Sequence, residues 1–147
     1  MIRRGDWVPL LPQGARLGVV TAVPVEPILR GLDYVLPGSE DSQQLSFIER
    51  AMPLDAWGAL CLATGLIALV GLVGRWRRVA STGLWLGGSV YGALALGQWI
   101  AVAGQPWLDG IRGPAIVTLL AVAQLGMGAG YALQPDEADV AREVDHG

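Results

Sequence analysis

Three apolar stretches, each about as long as a lipid bilayer is thick, occupy most of the later part of this chain. They cover residues 54–74, 81–103 and 113–133. A helix rises about 1.5 Å per residue, so roughly 20 apolar residues cross a hydrocarbon core of about 30 Å. Short connections join the stretches, which indicates that the helices pack together. We therefore predict an all-α integral membrane protein whose transmembrane domain, residues 53–133, contains three spanning helices.

The composition of the whole chain favours the same solvent. Of the 147 residues, 52% are hydrophobic and 16% are charged, whereas soluble domains carry roughly 25% charged residues. A soluble fold would have to bury three helices that are apolar on every face, and the remaining residues are too few and too polar to cover them. The net charge of −3 argues against a nucleic-acid partner. The lipid bilayer is therefore the first partner that the sequence predicts.

Prolines interrupt the N-terminal region, and they are Pro9, Pro12, Pro24, Pro27 and Pro37. Because proline blocks long helices and central strands, we predict that residues 1–41 are extended, with a short strand at residues 18–23. The apolar side chains of this region are expected to pack against another surface. The alternatives are the membrane surface, the helix bundle and a protein partner of residues 1–56. Residues 42–52 have apolar positions at helical spacing and predict a short interfacial helix. A linker helix without membrane contact is the alternative.

Arginine residues indicate the orientation in the membrane. Arg75, Arg77 and Arg78 form the only dense basic cluster beside a predicted span, and basic loops stay cytoplasmic. We therefore expect a multi-pass protein of the inner cell membrane with its N-terminus outside and its C-terminus, an acidic tail over residues 134–147, in the cytoplasm. No secretory signal peptide is recognisable. The first span would then have to carry residues 1–56 across the membrane, which is the weak point of this orientation.

Small residues at four-residue spacing predict where the spans pack. In lipid, small side chains let two helix backbones approach closely, and this packing replaces the missing hydrophobic driving force. The predicted packing positions are Gly83, Gly87, Gly88, Ser89, Gly92, Ala93, Gly97 and Ala101 in the second span, with Gly126 and Gly130 in the third. The spacing does not distinguish packing within the chain from self-association between copies.

Polar side chains inside the spans are few. Thr64, Gln98 and Gln124 are the main ones, and they predict interhelical hydrogen bonds or, alternatively, a polar seam that lines a pore. No Asp, Glu, Lys, Arg or His lies in the core of a predicted span. This pattern argues against a proton relay, an ion-coupled transporter and a voltage sensor, which need ionisable groups at depth.

Signatures of enzymes and metal sites are missing from the sequence. The one histidine, His146, has no partner at metal-ligand spacing. No nucleophile elbow, Walker loop or paired dinucleotide-binding glycines occur. The one cysteine, Cys61, lies in the first span, where a buried thiol is expected to be inert. We therefore predict a protein that is not an enzyme and that has no catalytic residues, no cofactor and no metal site.

Several segments are similar to known membrane proteins. They are the sequences GQW at residues 97–99 and PWLDGIRGP at residues 106–114, together with WGALCL at residues 57–62 and GRW at residues 74–76. They resemble small multi-span membrane proteins of tailed phages that infect actinobacteria, over about residues 53–133. Some phage proteins of comparable size are holins, which oligomerise and open the inner membrane at lysis. The resemblance transfers no functional residue and implies at most a holin-like role.

The sequence leaves one leading function and two alternatives. The leading hypothesis is a non-enzymatic, phage-type integral membrane protein that acts through helix–helix association or by docking a partner. The alternatives are a holin that forms membrane lesions and a membrane subunit of a transporter. Pore formation does not explain the long proline-rich region, which favours an interaction protein over a holin.

Overall fold

The structure, a computed structural model, describes residues 13–36, 52–103 and 110–133. Within these ranges it consists of four α-helices: α1 (Gln13–Val35), α2 (Leu54–Val73), α3 (Arg77–Ala103) and α4 (Arg112–Leu133). Helices α2, α3 and α4 are long and apolar enough to cross a membrane. Their ends lie within four residues of the predicted spans, so the prediction of an all-helical chain with three apolar helices of membrane length is confirmed.

The N-terminal region differs from its prediction. Residues 13–35 form the 23-residue helix α1, so the extended region and the strand at residues 18–23 are wrong over this part of the chain. Pro24 and Pro27 lie inside this helix, and their side chains are fully buried. Proline removes a backbone hydrogen bond and usually breaks a helix in water, but packing against neighbouring helices compensates for it in membrane bundles.

Two further predictions fall outside the described residues. The interfacial helix predicted for residues 42–52 lies there except for Met52, which packs against the core. The acidic tail of residues 134–147 lies there entirely. Both therefore stay predictions.

Glycines bring α1 into close contact with α2. A Cβ atom at Gly31 would lie 2.7 Å from the carbonyl oxygen of Gly58, and one at Gly65 would lie 2.9 Å from the carbonyl oxygen of Pro24. Both distances are shorter than van der Waals contact, so only glycine fits at these points. The later residue of α1 meets the earlier residue of α2, which shows that the two helices run antiparallel.

Glycines also set the contact between α2 and α3. A Cβ atom at Gly83 would lie 2.7 Å from the Ala68 Cα atom, and one at Gly71 would lie 2.6 Å from the Ala80 Cα atom. These pairs again join an early residue of one helix to a late residue of the other. Helix α3 also runs antiparallel to α4, because Ser81 near its start bonds to Gly128 and Trp99 near its end bonds to Thr118. The four helices therefore follow one another in an up-and-down order, and each packs mainly against its neighbours in the chain.

The core contains side chains from all four helices. Its buried cluster consists of Tyr34, Trp57, Cys61, Tyr91, Leu94, Ala95, Val117 and Ala121. The α1 member, Tyr34, is only 3% exposed. Helix α1 is therefore an integral part of the bundle, although it is not one of the three helices that are apolar enough to be recognised as spans.

Replacing Gly58 with leucine is expected to displace α1 from α2. The new side chain would overlap the Val35 Cγ2 atom and the Gly31 carbonyl oxygen, which lie 2.7 and 3.0 Å from the Cβ position. Overpacking of a close contact costs about 1–3 kcal/mol, so the midpoint of thermal unfolding in detergent should fall. The matched control is Gly18→Leu on α1, where nothing lies within 4 Å. An equal loss of stability in both variants would contradict the contact.

Candidate functional site

A charged cluster joins α1 to α3. Arg30 donates two hydrogen bonds, from Nε at 3.1 Å and from Nη2 at 2.9 Å, to Oε1 of Glu26. Tyr91 donates its hydroxyl to Oε2 of the same carboxylate. The guanidinium carbon of Arg30 lies 5.5 Å from the centre of the Tyr91 ring, and Tyr34 interacts with Arg30 as well. Both carboxylate oxygens therefore have partners, and the cation has a carboxylate and aromatic groups around it.

This charged cluster lies at the depth of the middle of the apolar helices. Tyr91 is next to the central residue of α3, and Pro24, two residues before Glu26, contacts Gly65 near the middle of α2. The side chains of Arg30 and Glu26 are 23% and 31% exposed. A charge within a bilayer is costly unless it is paired. The hydrogen bonds of this cluster supply that pairing, and the residual exposure leaves one side of it open.

Sequence reasoning missed these two charges. The absence of Asp, Glu, Lys, Arg and His from the span cores holds for the three predicted spans, whereas α1, which packs mainly against α2, carries Glu26 and Arg30. A signal was present, because Glu26 and Arg30 stand four residues apart, which is the spacing of an ion pair on a helix. Pro24 and Pro27 lie beside this pair, and they led to the prediction of an extended chain there.

Polar side chains of α2 and α4 also meet at Gly87 of α3. The Gln124 side chain is 2% exposed, and its Oε1 atom occupies the space that a side chain at Gly87 would fill. Thr64 approaches the same point from α2, with its Cβ atom 3.7 Å from that space. Its hydroxyl donates to the carbonyl of Leu60 at 2.9 Å. The structure thus brings together Thr64 and Gln124, two of the polar residues predicted from sequence. The missing side chain at Gly87 provides the space for the Gln124 amide.

Two buried amide atoms lack a hydrogen-bond partner among the described residues. They are Nε2 of Gln124 and Oε1 of Gln98. Gln98 lies near the end of α3, where its Oε1 atom approaches the start of α4 at Gly113. The structure therefore places Gln98 away from Thr64 and Gln124, so the three residues do not form one continuous polar seam.

Part of the predicted packing set lies between helices of this chain. A Cβ atom at Gly83 would overlap Ala68 on α2, and one at Gly88 would lie 2.6 Å from the Leu125 Cγ atom on α4. Ala93 is partly buried beside the core. The buried members of the set are Gly83, Gly87, Gly88 and Gly97.

The rest of the packing set is open toward the outside of the bundle. Nothing lies within 4 Å of a Cβ atom at Gly92, Gly126 or Gly130, and Ser89 and Ala101 are exposed. The small residues at four-residue spacing in α3 are exposed at Ser89 and Ala101 but buried at Gly97. They therefore do not form a single packing face within the described chain. The glycine pair on α4 stays available for a contact with another molecule.

The basic cluster lies at the turn between α2 and α3, at the opposite end of α3 from Gln98. Arg75 and Arg78 are exposed, and Arg77 is partly buried. Ser81, one turn further along α3, donates its hydroxyl at 2.9 Å to the carbonyl of Gly128. The start of α3 and the end of α4 are thereby joined at the basic end of the bundle.

Removing the Tyr91 hydroxyl is expected to destabilise the protein, because this hydroxyl donates a hydrogen bond to the Glu26 carboxylate. Hydrogen bonds to charged groups contribute about 1.5–3 kcal/mol, so Tyr91→Phe should lower the free energy of unfolding by about that amount while the ring stays over Arg30. In a Glu26→Gln background the same change should cost less, because the acceptor is neutral. Denaturant unfolding in a mild detergent of all four proteins of this cycle measures the coupling. Strictly additive effects would show that the two side chains do not interact.

Comparison of the chain with family models, curated proteins and solved structures gave no match. The resemblance to phage membrane proteins therefore stays a hypothesis.

Proposed function

We propose that this chain is a non-enzymatic integral membrane protein that acts by associating with copies of itself within the bilayer. The observation that carries the proposal is the glycine pair on α4, Gly126 and Gly130. A Cβ atom added at either glycine would have no neighbour within 4 Å outside its own helix backbone. Helix α4 is also the least buried of the three apolar helices. Two small residues four positions apart allow close approach of a second helix in lipid.

The apolar side chains around this pair do not themselves call for a partner. Ile116, Leu119 and Val122 on α4 are exposed, but lipid covers apolar side chains as well as another protein does. A gap in the helix surface is different, because a partner helix fills it more closely than disordered lipid tails. The glycine pair therefore supports a helix contact where the apolar residues alone do not.

Helix α1 belongs in the membrane in this proposal. It runs antiparallel to α2, and its charged cluster reaches the middle of α3. Its 23 residues measure about 34 Å at about 1.5 Å per residue, which is enough to cross the hydrocarbon core. The charges at Glu26 and Arg30 lower its hydropathy, but the pair satisfies them internally. Four crossings place the N-terminus on the same side as the C-terminus.

Four crossings also remove the weak point of the three-span orientation. Residues 1–12, whose sequence includes Arg3 and Arg4, then need not be exported, and the basic cluster belongs to that same side in this proposal. This distribution agrees with the rule that basic segments stay in the cytoplasm. We therefore propose that both termini are cytoplasmic, in place of an external N-terminus.

A transporter subunit is the second candidate function. The charged cluster of Glu26, Arg30 and Tyr91 supports it, because ionisable residues at membrane depth often line transport pathways. A holin-like role is a special form of the leading proposal, in which the associated helices open the membrane. Docking of a separate protein by residues 1–56 stays an alternative for the segments on either side of α1.

Self-association is expected to weaken when the glycine pair on α4 is filled. Replacing both Gly126 and Gly130 with leucine should raise the dissociation constant by about tenfold or more, since close packing is the main driving force in lipid. Energy transfer between labelled copies in vesicles, measured over a range of protein-to-lipid ratios, gives this constant. Ala63→Leu on the exposed face of α2 is the control for added volume. A wild-type chain that is monomeric at every ratio would refute the proposal.

Membrane potential separates association with pore formation from association without it. A potential-sensitive dye should report collapse after expression of the wild-type chain if the assembly is holin-like, and the double leucine variant should abolish the collapse. If the membrane potential stays stable while energy transfer between copies persists, the chain associates with itself without permeabilising the membrane. Collapse that persists in the double variant would show that α4 does not mediate the active assembly.

The topology is tested with reporters fused at three places. A reporter before Met1 and one after Gly147 should both behave as cytoplasmic, whereas one inserted near Gly110 should behave as external. The reason is that α1 adds a crossing to the three apolar helices. If the reporter at the N-terminus behaves as external, α1 does not cross the membrane, and the proposed four crossings are contradicted.

A further inference from the structure

A pocket lies at the basic end of the bundle, where α2 ends, α3 begins and α4 ends. Its volume is about 260 Å³, smaller than the roughly 300–1,000 Å³ of sites for drug-sized ligands and suitable for a compact polar group. The residues that line it are Gly71, Leu72, Arg75, Arg77, Ala80 and Tyr131. The pocket thus combines two arginines and a phenol with an apolar wall, and none of the described residues that line it is acidic.

The backbone holds Arg75 in a conformation that arginine rarely adopts. Its φ angle is +56°, in the left-handed region. The turn is closed by hydrogen bonds from the Trp76 amide to the Gly71 carbonyl at 2.8 Å and from the Arg75 amide to the Leu72 carbonyl at 3.2 Å. Glycine is the usual residue at this point of such a helix end, and a side chain there costs roughly 1–2 kcal/mol. The chain nevertheless carries arginine, and its side chain lines the pocket.

The pocket lies where a membrane protein meets lipid headgroups. It is at the shared end of three apolar helices, and Trp76 beside it is 60% exposed. Tryptophan at a helix end is typical of the membrane interface. Basic pockets between transmembrane helices at this level recognise anionic headgroups, and arginine suits phosphate because its planar fork donates two parallel hydrogen bonds.

We propose that this pocket binds the phosphate of an anionic phospholipid headgroup. Arg75 and Arg77 supply the charge, and the Tyr131 hydroxyl is a further hydrogen-bond donor at the rim. The apolar wall formed by Leu72 and Ala80 accepts the start of the acyl region. A free phosphate ion would use the two arginines but not this wall, which is why the proposal commits to the lipid.

Native mass spectrometry of the full chain, released from detergent in mixtures of phosphatidylglycerol and phosphatidylcholine, tests the proposal. The wild-type chain should retain phosphatidylglycerol in preference. Arg75→Gln and Arg77→Gln should each reduce that preference by about fivefold. Arg112→Gln, which removes an exposed arginine at the other end of α4, should leave it unchanged. Equal retention of the two lipids by the wild-type chain would overturn the proposal.

Two further measurements separate binding from folding and from other occupants. Arg75→Gly relieves the left-handed conformation, so thermal stability in lipid-free detergent should not fall, while the lipid preference should. Millimolar inorganic phosphate should not displace the bound lipid, and displacement would identify the site as one for the free ion. The acidic tail is a rival occupant. If phosphatidylglycerol is retained only after Asp136, Glu137 and Asp139 are neutralised in the full chain, the tail fills the pocket and the proposal is wrong.

Discussion

The close backbone contact between α1 and α2 is the interaction on which the rest of the arrangement depends. Burial of apolar surface drives little association in lipid, since lipid tails are as apolar as the side chains. In the proposed four-crossing arrangement, direct packing therefore holds α1 in place, where Gly31 and Gly58 leave no room for a side chain. Once α1 lies there, its polar residues reach α3. Without that contact, Glu26 and Tyr91 would belong to separate surfaces.

The polar groups at the middle of the bundle follow two different rules. Glu26 and Arg30 form hydrogen bonds with each other along α1, and Tyr91 of α3 donates a further hydrogen bond to Glu26. These bonds, rather than distance from lipid, reduce the free-energy cost of placing the two charges in the bundle. Gln124 is instead accommodated by the absence of a side chain at Gly87. Both contacts tie helices together, but only the first leaves part of a charged pair exposed. The exposed part of Glu26 and Arg30 is therefore the surface of α1 that best suits a transport or partner function.

The outer surface of the bundle is not uniform, and this shapes the proposed function. Helix α4 presents a glycine pair with open space beside it, whereas the turn between α2 and α3 presents arginines around a pocket. The first surface suits a second helix, and the second suits an anionic headgroup. The two surfaces are neighbours, because the glycine pair lies in the last third of α4 and Gly130 immediately precedes Tyr131, which lines the pocket.

The sequence by itself predicted a membrane as the surroundings of this protein and located three of the four described helices. Apolar runs of membrane length at residues 54–74, 81–103 and 113–133 can satisfy their backbone in lipid only as helices, so their state follows from composition and length. The sequence did not show which small residues face inward. Helices that are apolar on every side carry no periodic signal, and Gly88 and Gly126 look alike until their neighbours are known.

Only the tertiary structure decided the state of the N-terminal region. Pro24 and Pro27 weaken an isolated helix, and local sequence therefore favoured an extended chain. Packing of the buried prolines and of Gly31 against α2 reversed that preference, because a contact between helices can outweigh a lost backbone hydrogen bond. The same packing joined Glu26 to Tyr91, 65 residues away. No local pattern could predict that pair, since it exists only where two antiparallel helices reach the same depth.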